Sequence, residues 1–441
     1  MFFLLLIPYP LWGQEKEQIL PPLLTLDQAV KLALDHNRQI KNARLEVEKS
    51  SRQIEAFKRH FFPTIDFKLS ESYLLTSSDY LFNRGIFGTY PGVGPIPAED
   101  TRISSTKRWS TFLSTTLAQP LSQIYKIDLG IDSLKLGQSI ALEKQRALSH
   151  SVRAEVKRHY YGIIQAQNAL EALEELIKAL KELERIMIDQ THRQMVLESD
   201  LLEAKARLAK AEYEALTLRN TLTVSRQHLN GLLGRDLAEE FRVMSIPEPV
   251  DFLIEMATVK ARASDLRPEI KEARLKKRHA ENEIRIKKAE YLPDFSLVFN
   301  YFSPFDSDIL PRNVATIGLQ LTWDVFDWGR RKQELAERIG TLEQARNDLK
   351  ETEKAVTLDV QTRLNKLREA ELLIKATRLA KEAGQEKFRT TLNRYKVQAA
   401  LFQDVLNIQA SLAEAIHNHQ NAMISFWTAK ADLEKAMGEE P

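Results

Sequence analysis

The sequence predicts a mostly helical chain with a small β part, laid out as one unit repeated twice, and three observations lead there. The first is internal repetition. Shifted by 230 residues, Ile40, Lys41, Ala43, Arg44, Leu45, Ile54, Lys58 and Pro63 fall on Ile270, Lys271, Ala273, Arg274, Leu275, Ile284, Lys288 and Pro293 without a gap. Shifted by 204, Leu117, Val152, Val156, Asp200, Leu202, Leu208, Ala211, Leu229 and Gly234 fall on Leu321, Val356, Val360, Asp404, Leu406, Leu412, Ala415, Leu433 and Gly438. The offsets differ by 26 residues, so the first copy carries the longer loop, between about residues 74 and 108. A period near 200 far exceeds that of solenoids and makes each copy domain-sized. The second observation is a scarcity of helix breakers: 15 Gly and 16 Pro in 441 residues, many of them between Gly85 and Pro97. The third is a set of four short segments that alternate apolar and polar residues.

Taken in order, residues 1–13 contain the long apolar run Met1 to Trp12, then Gly13 and Gln-Glu-Lys-Glu, and read as a secretory signal without a basic start. A buried N-terminal strand or helix is the alternative. Residues 14–234 form the first repeat. Its helix of about Thr25 to Phe61 leads to a strand near 64–73, the loop 74–108 and a return strand near 109–118. A proline-free run from about Tyr125 to Thr191 and a shorter helix from about Ser199 to Leu233 follow, ending at the cap-like Gly234. Residues 235–255 are a linker. Residues 256–438 repeat the order: a helix of about Met256 to Tyr291, strands near 294–302 and 315–325, a proline-free run from about Arg330 to Tyr395, and a shorter helix from about Leu401 to Met437 before Gly438. Residues 439–441 are a tail. At ~1.5 Å per residue, each run of roughly 65 residues makes a rod of roughly 100 Å. Val152, Val156, Leu170, Leu173, Leu176 and Leu180 recur at three and four, so such rods want neighbours on one side and water on the other. Pro63, Pro120 and Pro293 punctuate the helix–strand joints, because the residue before proline is pushed out of helical geometry. Asp324 stands where the second copy would have the counterpart of Pro120.

Composition excludes several function classes. With no Cys there is no disulfide, thiolate metal site or acylated anchor. Of nine His, His417 and His419 are two apart and point to different helix faces, so no metal site is expected. Pro91-Gly-Val-Gly-Pro95 lacks the Gly-Lys-Ser/Thr of a phosphate loop and reads as an outer loop. No nucleophile stands with a base. Neither an enzyme nor a cofactor is expected, and the net charge of +2 gives no reason to expect nucleic acid.

Nothing approaches 18 consecutive apolar residues, so a membrane could be met only by strands. Ile65, Phe67, Leu69 and Tyr73 alternate with Asp66, Lys68, Ser70 and Ser72, and Phe295, Leu297, Phe299 and Tyr301 with Asp294, Ser296 and Asn300. The return strands match: Trp109, Thr111, Leu113, Thr115 and Leu117 against Ser110, Ser114 and Thr116, and Ile317, Leu319, Leu321, Trp323 and Val325 against Thr316, Gly318, Gln320 and Thr322. Their lengths and terminal aromatics suit transmembrane strands, although a soluble half-buried sheet has the same period. Four strands cannot close a barrel and lipid tolerates no open edge, so copies must pool strands. Three copies give twelve, the simplest solution, while the arithmetic also permits two or four.

The element order, the duplicated unit, Phe62-Pro63 and Leu292-Pro293, the strand endings Leu117-Ala-Gln-Pro-Leu121 and Leu321-Thr-Trp-Asp-Val325, and Arg394-Tyr-Lys-Val397 with Asp404-Val-Leu406 together resemble the TolC-like outer-membrane efflux protein family. The resemblance covers nearly the whole chain after the signal. It implies a homotrimer whose shared twelve-stranded transmembrane β-barrel is continuous with a trimeric α-helical barrel in the periplasm. The partners it implies are a periplasmic adaptor, an inner-membrane pump and outer-membrane lipid. It also implies that the helical tips work as a gate and docking site. Asp404 matches an acidic position near the tunnel mouth, with Asp200 its counterpart, and rings of carboxylates there would attract cations. The alternative is that each Asp simply caps the shorter helix. Tyr395 and Thr191 stand at latch positions, but Thr191 replaces a common acid and Ala400 an arginine. At the docking tips, Gln398 after Val397, and Gln194 in the first copy, fill positions where the family usually has glycine. A soluble long-helix scaffold or adaptor is the competing class; it would leave the four strands and the signal without a role.

Overall fold

Helix breaks and strand starts follow the local chemistry of the chain. The computed structural model describes residues 21–76, 79–104, 108–193, 197–247, 255–305, 311–396, 399 and 402–439, so the segment read as a signal lies outside the described residues. Strand β1 (Leu23–Leu24) precedes helices α1 (Leu26–His36) and α2 (Arg38–Lys58), then β2 (Thr64–Tyr73), the short strands β3 (Asp79–Phe82), β4 (Thr89–Tyr90), β5 (Gly94–Pro95) and β6 (Thr101–Ser104), and β7 (Trp109–Pro120). Helices α3 (Ile124–His192) and α4 (Glu198–Leu233) lead to β8 (Arg242–Val243). The chain then runs through α5 (Met256–Leu266), α6 (Pro268–Ala289), β9 (Asp294–Pro304), β10 (Val314–Thr322), α7 (Arg330–Lys396) and α8 (Phe402–Met437). The chain is therefore mostly helical. Its backbone contacts group it into two compact units, residues 1–44, 143–271 and 351–441 in one and residues 45–142 and 272–350 in the other.

In the first unit, Thr25 opens α1 with a reciprocal capping box to Gln28. The helices expected to run unbroken toward the strands are each interrupted. Asn37 breaks the first: its Oδ1 accepts from the N–H groups of Gln39 and Ile40 and so caps α2. Arg267 breaks the second, because Pro268 disfavours helical geometry in the residue before it. Two apolar clusters form the core. In one, Val152, Val156, Tyr160, Ile163 and Ala166 of α3 join Ala29, Ala33, Ile40, Leu229 and Leu233. In the other, Val356, Val360, Leu364, Leu367 and Ala370 of α7 join Val259, Ala263, Ile270, Leu433 and Met437. Each large aliphatic side chain so buried contributes about 2 kcal/mol. Asn37 Nδ2 donates to Leu232 O at 3.0 Å, and Arg267 Nη1 donates to Ala436 O at 3.0 Å, so each helix break is tied to the last turn of a shorter helix. The buried Tyr160 hydroxyl donates to Leu24 O and accepts from Met244 N–H, clasping the parallel pair β1–β8.

The same helix ends are closed by glycine. Gly234 and Gly438 both adopt the left-handed backbone, at φ +69° and +72°. A Cβ on Gly234 would stand 2.7 Å from His36 O, and one on Gly438 3.0 Å from the backbone of Leu266 and Arg267. Arg267, in turn, is buried between Asp359 (2.8 Å) and Glu269 (2.9 Å). Asp359 also meets Arg363 (3.3 Å), and Asp432 of α8 accepts from both Arg363 of α7 (2.6 Å) and Arg158 of α3 (3.0 Å).

The second unit holds a four-stranded antiparallel sheet in the order β10-β9-β7-β2. Phe62 is extended ahead of Pro63, and β2 starts at Thr64. β10 stops at Thr322 opposite Asp294, so Trp323 to Val325, expected to continue it, lie beyond the strand. The next residue opposite them would be Pro293, which has no N–H to offer. A small cluster of Ile54, Ile127 and Ile131 with Phe57 and Phe61 joins the end of α2 to the start of α3.

Gly234→Ala and Gly438→Ala are each expected to destabilise the protein by roughly 1–2 kcal/mol from the left-handed backbone alone, more with the clash, as read from denaturant melts. A second expectation concerns acid. Burial pushes the Asp359 carboxyl up, but its bonds to Arg267 and Arg363 outweigh this and hold it below the ordinary carboxylate range. A carboxyl lowered on folding stabilises fully above its unfolded value, near 4, and that stabilisation is lost as pH falls through the lower folded value. Thermal midpoints should therefore fall below about pH 4, and D359N should flatten that part of the profile.

Candidate channel wall and its helical entrance

The register of the sheet sorts its side chains by parity. Ile65 faces Leu117, which faces Phe299, which faces Ile317; Leu69 faces Leu113, Leu297 faces Leu319, and Phe295 faces Leu321. Odd-numbered residues of all four strands thus share one face, and it is mostly apolar. It is also bare: Ile65 and Phe67 are 69% exposed, Ile317 and Leu319 72%. A half-buried sheet in a soluble protein would hide this face. Glu71 is the charged residue on it, near the outer ends, where Tyr73 and Trp109 meet edge to face at 5.1 Å. Trp323 and Tyr291 stand at the opposite ends, tied by a bond from Trp323 Nε1 to Tyr291 O. Ten residues at ~3.3 Å each, tilted by about 40°, span roughly 25 Å, the height of an outer-membrane apolar band.

The even-numbered face carries mostly polar residues, Asp66, Lys68, Ser70, Ser114, Thr116, Asn300, Thr316 and Gln320, with Ala118, Val298 and Val314 among them. Thr116 Oγ1 donates to Asn300 Oδ1 across two strands at 3.0 Å. Two residues that the alternation passes over, Phe112 and Phe302, lie on this polar face with stacked rings.

The joints are denser than the prolines alone suggest. Pro63 and Pro293 stand immediately before β2 and β9, and Pro120 ends β7. Beside them, Ser122 Oγ donates to Pro293 O and accepts from Phe295 N–H, and Lys126 Nζ reaches Leu292 O (3.1 Å) and the Asp294 carboxylate (2.7 Å). The joint after β10, where Pro120 has no counterpart, is built on Arg331. This buried guanidinium donates to Asp327 Oδ2 (2.6 Å), Glu290 O (3.0 Å) and Asp324 O, and lies over the Tyr291 ring. Its proximity holds the Asp327 carboxyl below the ordinary range. Sequence reasoning missed Arg331, whose roles lie in contacts with residues 290, 324 and 327 that no spacing announces.

At the tips, α3 ends at His192 and α7 at Lys396. Thr191 lies in the last turn of α3, and its hydroxyl donates to Met187 O at 2.7 Å within its own helix. Asp200 is the third residue of α4, whose N-cap Leu197 makes no side-chain cap bond. Asp404 is likewise the third residue of α8, exposed in its first turn. An acid there faces the positive end of the helix dipole. Tyr395 falls in the last turn of α7. Gln194, Val397, Gln398 and Ala400 lie outside the described residues.

The sequence profile described as outer membrane efflux protein matches residues 29–235 and 260–439. The chain belongs to that family. No curated protein matches the sequence. Among solved structures, this outer membrane efflux protein is similar to the Campylobacter jejuni CmeC outer membrane channel, at 18% identity and TM-score 0.75, over 94% of this chain and 85% of that one. It is also similar to the open-state Neisseria gonorrhoeae MtrE outer membrane channel, at 18% identity and TM-score 0.69, over 94% and 88%. The Vibrio cholerae outer membrane protein VceC matches at 15% identity and TM-score 0.69, over 94% and 96%. These likenesses establish the fold. Membership of the family agrees with a sheet that leaves an apolar face bare.

R331M in this efflux protein is expected to lower the thermal midpoint and loosen the joint, with faster amide exchange at the start of α7, while R331K recovers part of the loss because a single ammonium cannot serve all three acceptors.

Proposed function

We propose that the protein is the outer-membrane exit duct of a tripartite efflux or type I secretion system, a passive homotrimeric channel. The observation that carries this reading is the exposed apolar face shared by all four strands, with aromatics at both ends and with β2 and β10 left as edges of the sheet. In lipid such edges must be paired, and β10 of one copy against β2 of the next closes a ring. Three copies give twelve strands around a lumen lined by the polar face. Among the structures it resembles, CmeC and MtrE are outer membrane channels.

The two halves are read as a duplication. Asn37 and Arg267, Leu232 and Ala436, and Gly234 and Gly438 are related by the offsets of 230 and 204 and make equivalent contacts in each half. The helices then form a periplasmic tunnel. Asp200 and Asp404 ring its entrance, Tyr395 and Thr191 stand beside it, and Gln194, Val397 and Gln398 meet a periplasmic adaptor coupled to an inner-membrane pump. Opening requires neighbouring helix pairs to separate, driven by those partner contacts.

The test is planar-bilayer conductance of the detergent-purified protein together with its mass. Discrete channels from a three-chain particle are expected, and a soluble monomer without channels would overturn the reading. D200N/D404N should lower block by multivalent cations several-fold and shift ion selectivity without changing assembly, since six fewer carboxylates weaken the field at the mouth. Unchanged block would leave the two acids as helix-dipole partners only.

A further inference from the structure

Apolar residues interrupt the polar face in two places: Ala118 opposite Val298, and, toward the other end, Val314 and Pro304 beside the face's aromatic pair. Phe112 of β7 and Phe302 of β9 are both even-numbered and so project from the face that carries Asp66, Ser114, Thr116 and Asn300. Their ring centroids are 5.7 Å apart with planes inclined by 21°, a stacked pair. Register places Ser70 and Pro304 on either side of Phe112, and Ser114 and Val314 on either side of Phe302, which puts the pair toward the outer ends of the strands. Both rings are half-buried, and neither belongs to an apolar core cluster among the described residues. Parity keeps them off the lipid face. They therefore meet what passes along the wall.

We propose that Phe112 and Phe302 are a contact site for aromatic and amphiphilic small molecules leaving the channel. This rests on the duct reading, in which three copies set six rings around one lumen as a collar near its outer mouth. The chemistry favours that class of cargo. Ser, Thr and Asn side chains exchange water for cargo at little gain, whereas an aromatic face attracts another ring or the polarised edge of a cation. The contact is also weak enough to be left. Conduction needs sites that hold a solute without trapping it, and shallow apolar rings in a hydroxyl-lined wall satisfy that condition. A collar of this kind would slow aromatic solutes relative to ions of the same charge while leaving small-ion conductance nearly unchanged.

The experiment compares block of the reconstituted wild-type channel by phenyltrimethylammonium and by tetramethylammonium, which share charge and head group and differ by one phenyl ring. Phenyltrimethylammonium should block at roughly three- to ten-fold lower concentration, the preference expected of one aromatic contact. F112S/F302S should abolish that preference while retaining single-channel conductance and tetramethylammonium block, and F112Y/F302Y should keep it. If the serine pair fails to assemble, F112L/F302L retains apolar volume without the rings and should likewise lose most of the preference. An undiminished preference in F112S/F302S or F112L/F302L overturns the collar with the duct intact. No channel from the wild-type protein overturns the duct reading, and the collar with it.

Discussion

A β-sheet placed in hydrocarbon cannot leave the N–H and C=O groups of its edges unpaired, and in the proposed duct this constraint organises the second unit of the protein. Its sheet ends at β2 and β10, and both edge strands expose their apolar side chains. Once the medium is lipid, the parity of the register becomes meaningful: odd residues face the solvent that has no hydrogen bonds to give, even residues the one that has. The joints serve the same constraint. Strands start just after Pro63 and Pro293, which have no N–H to leave unpaired, and the carbonyls of Pro293, Leu292 and Glu290 accept from Ser122, Lys126 and Arg331.

The helical unit depends on a different device, used twice with different chemistry. At the end of α4 a neutral amide, Asn37, holds Leu232 O, while at the end of α8 a guanidinium, Arg267, holds Ala436 O. The neutral version needs no counter-ion. The charged one is buried and needs Asp359 and Glu269, which draw in Arg363 and through it Asp432, so that α3, α7 and α8 share one ionic chain. The joints diverge in the same way: a proline with Lys126 at one, a buried Arg331 with Asp327 at the other. The backbone geometry at the two helix ends is alike, while the side chains that secure it differ.

Much of this was legible in the sequence, and the reasons are particular. The alternation of Ile65, Phe67 and Leu69 with Asp66 and Lys68 announces a strand because two-residue periodicity is a property of the chain itself. The long helices α3 and α7 are announced by the absence of proline over more than sixty residues. The break at Asn37 is hidden, because apolar periodicity continues across it and its purpose, a bond to Leu232 O, lies 195 residues away. Arg331 is hidden for the same reason. Phe112 and Phe302 are hidden because each breaks its own strand's alternation, and only the pairing of β7 with β9 makes them neighbours. At the tips, the helix positions of Asp200 and Asp404 are legible because they are local.

By itself the sequence determined what is local or periodic: helix and strand types, the caps at Gly234 and Gly438, the joints at Pro63, Pro120 and Pro293 and, through the resemblance these carry, the family. Only the tertiary structure decided which strands are neighbours, hence which residues share a face and which face is bare, and which buried charges close the joints. The physical reason is that periodicity is encoded within one segment, whereas register and ion pairing are agreements between segments far apart in the chain, settled when backbone groups and charges leave water together.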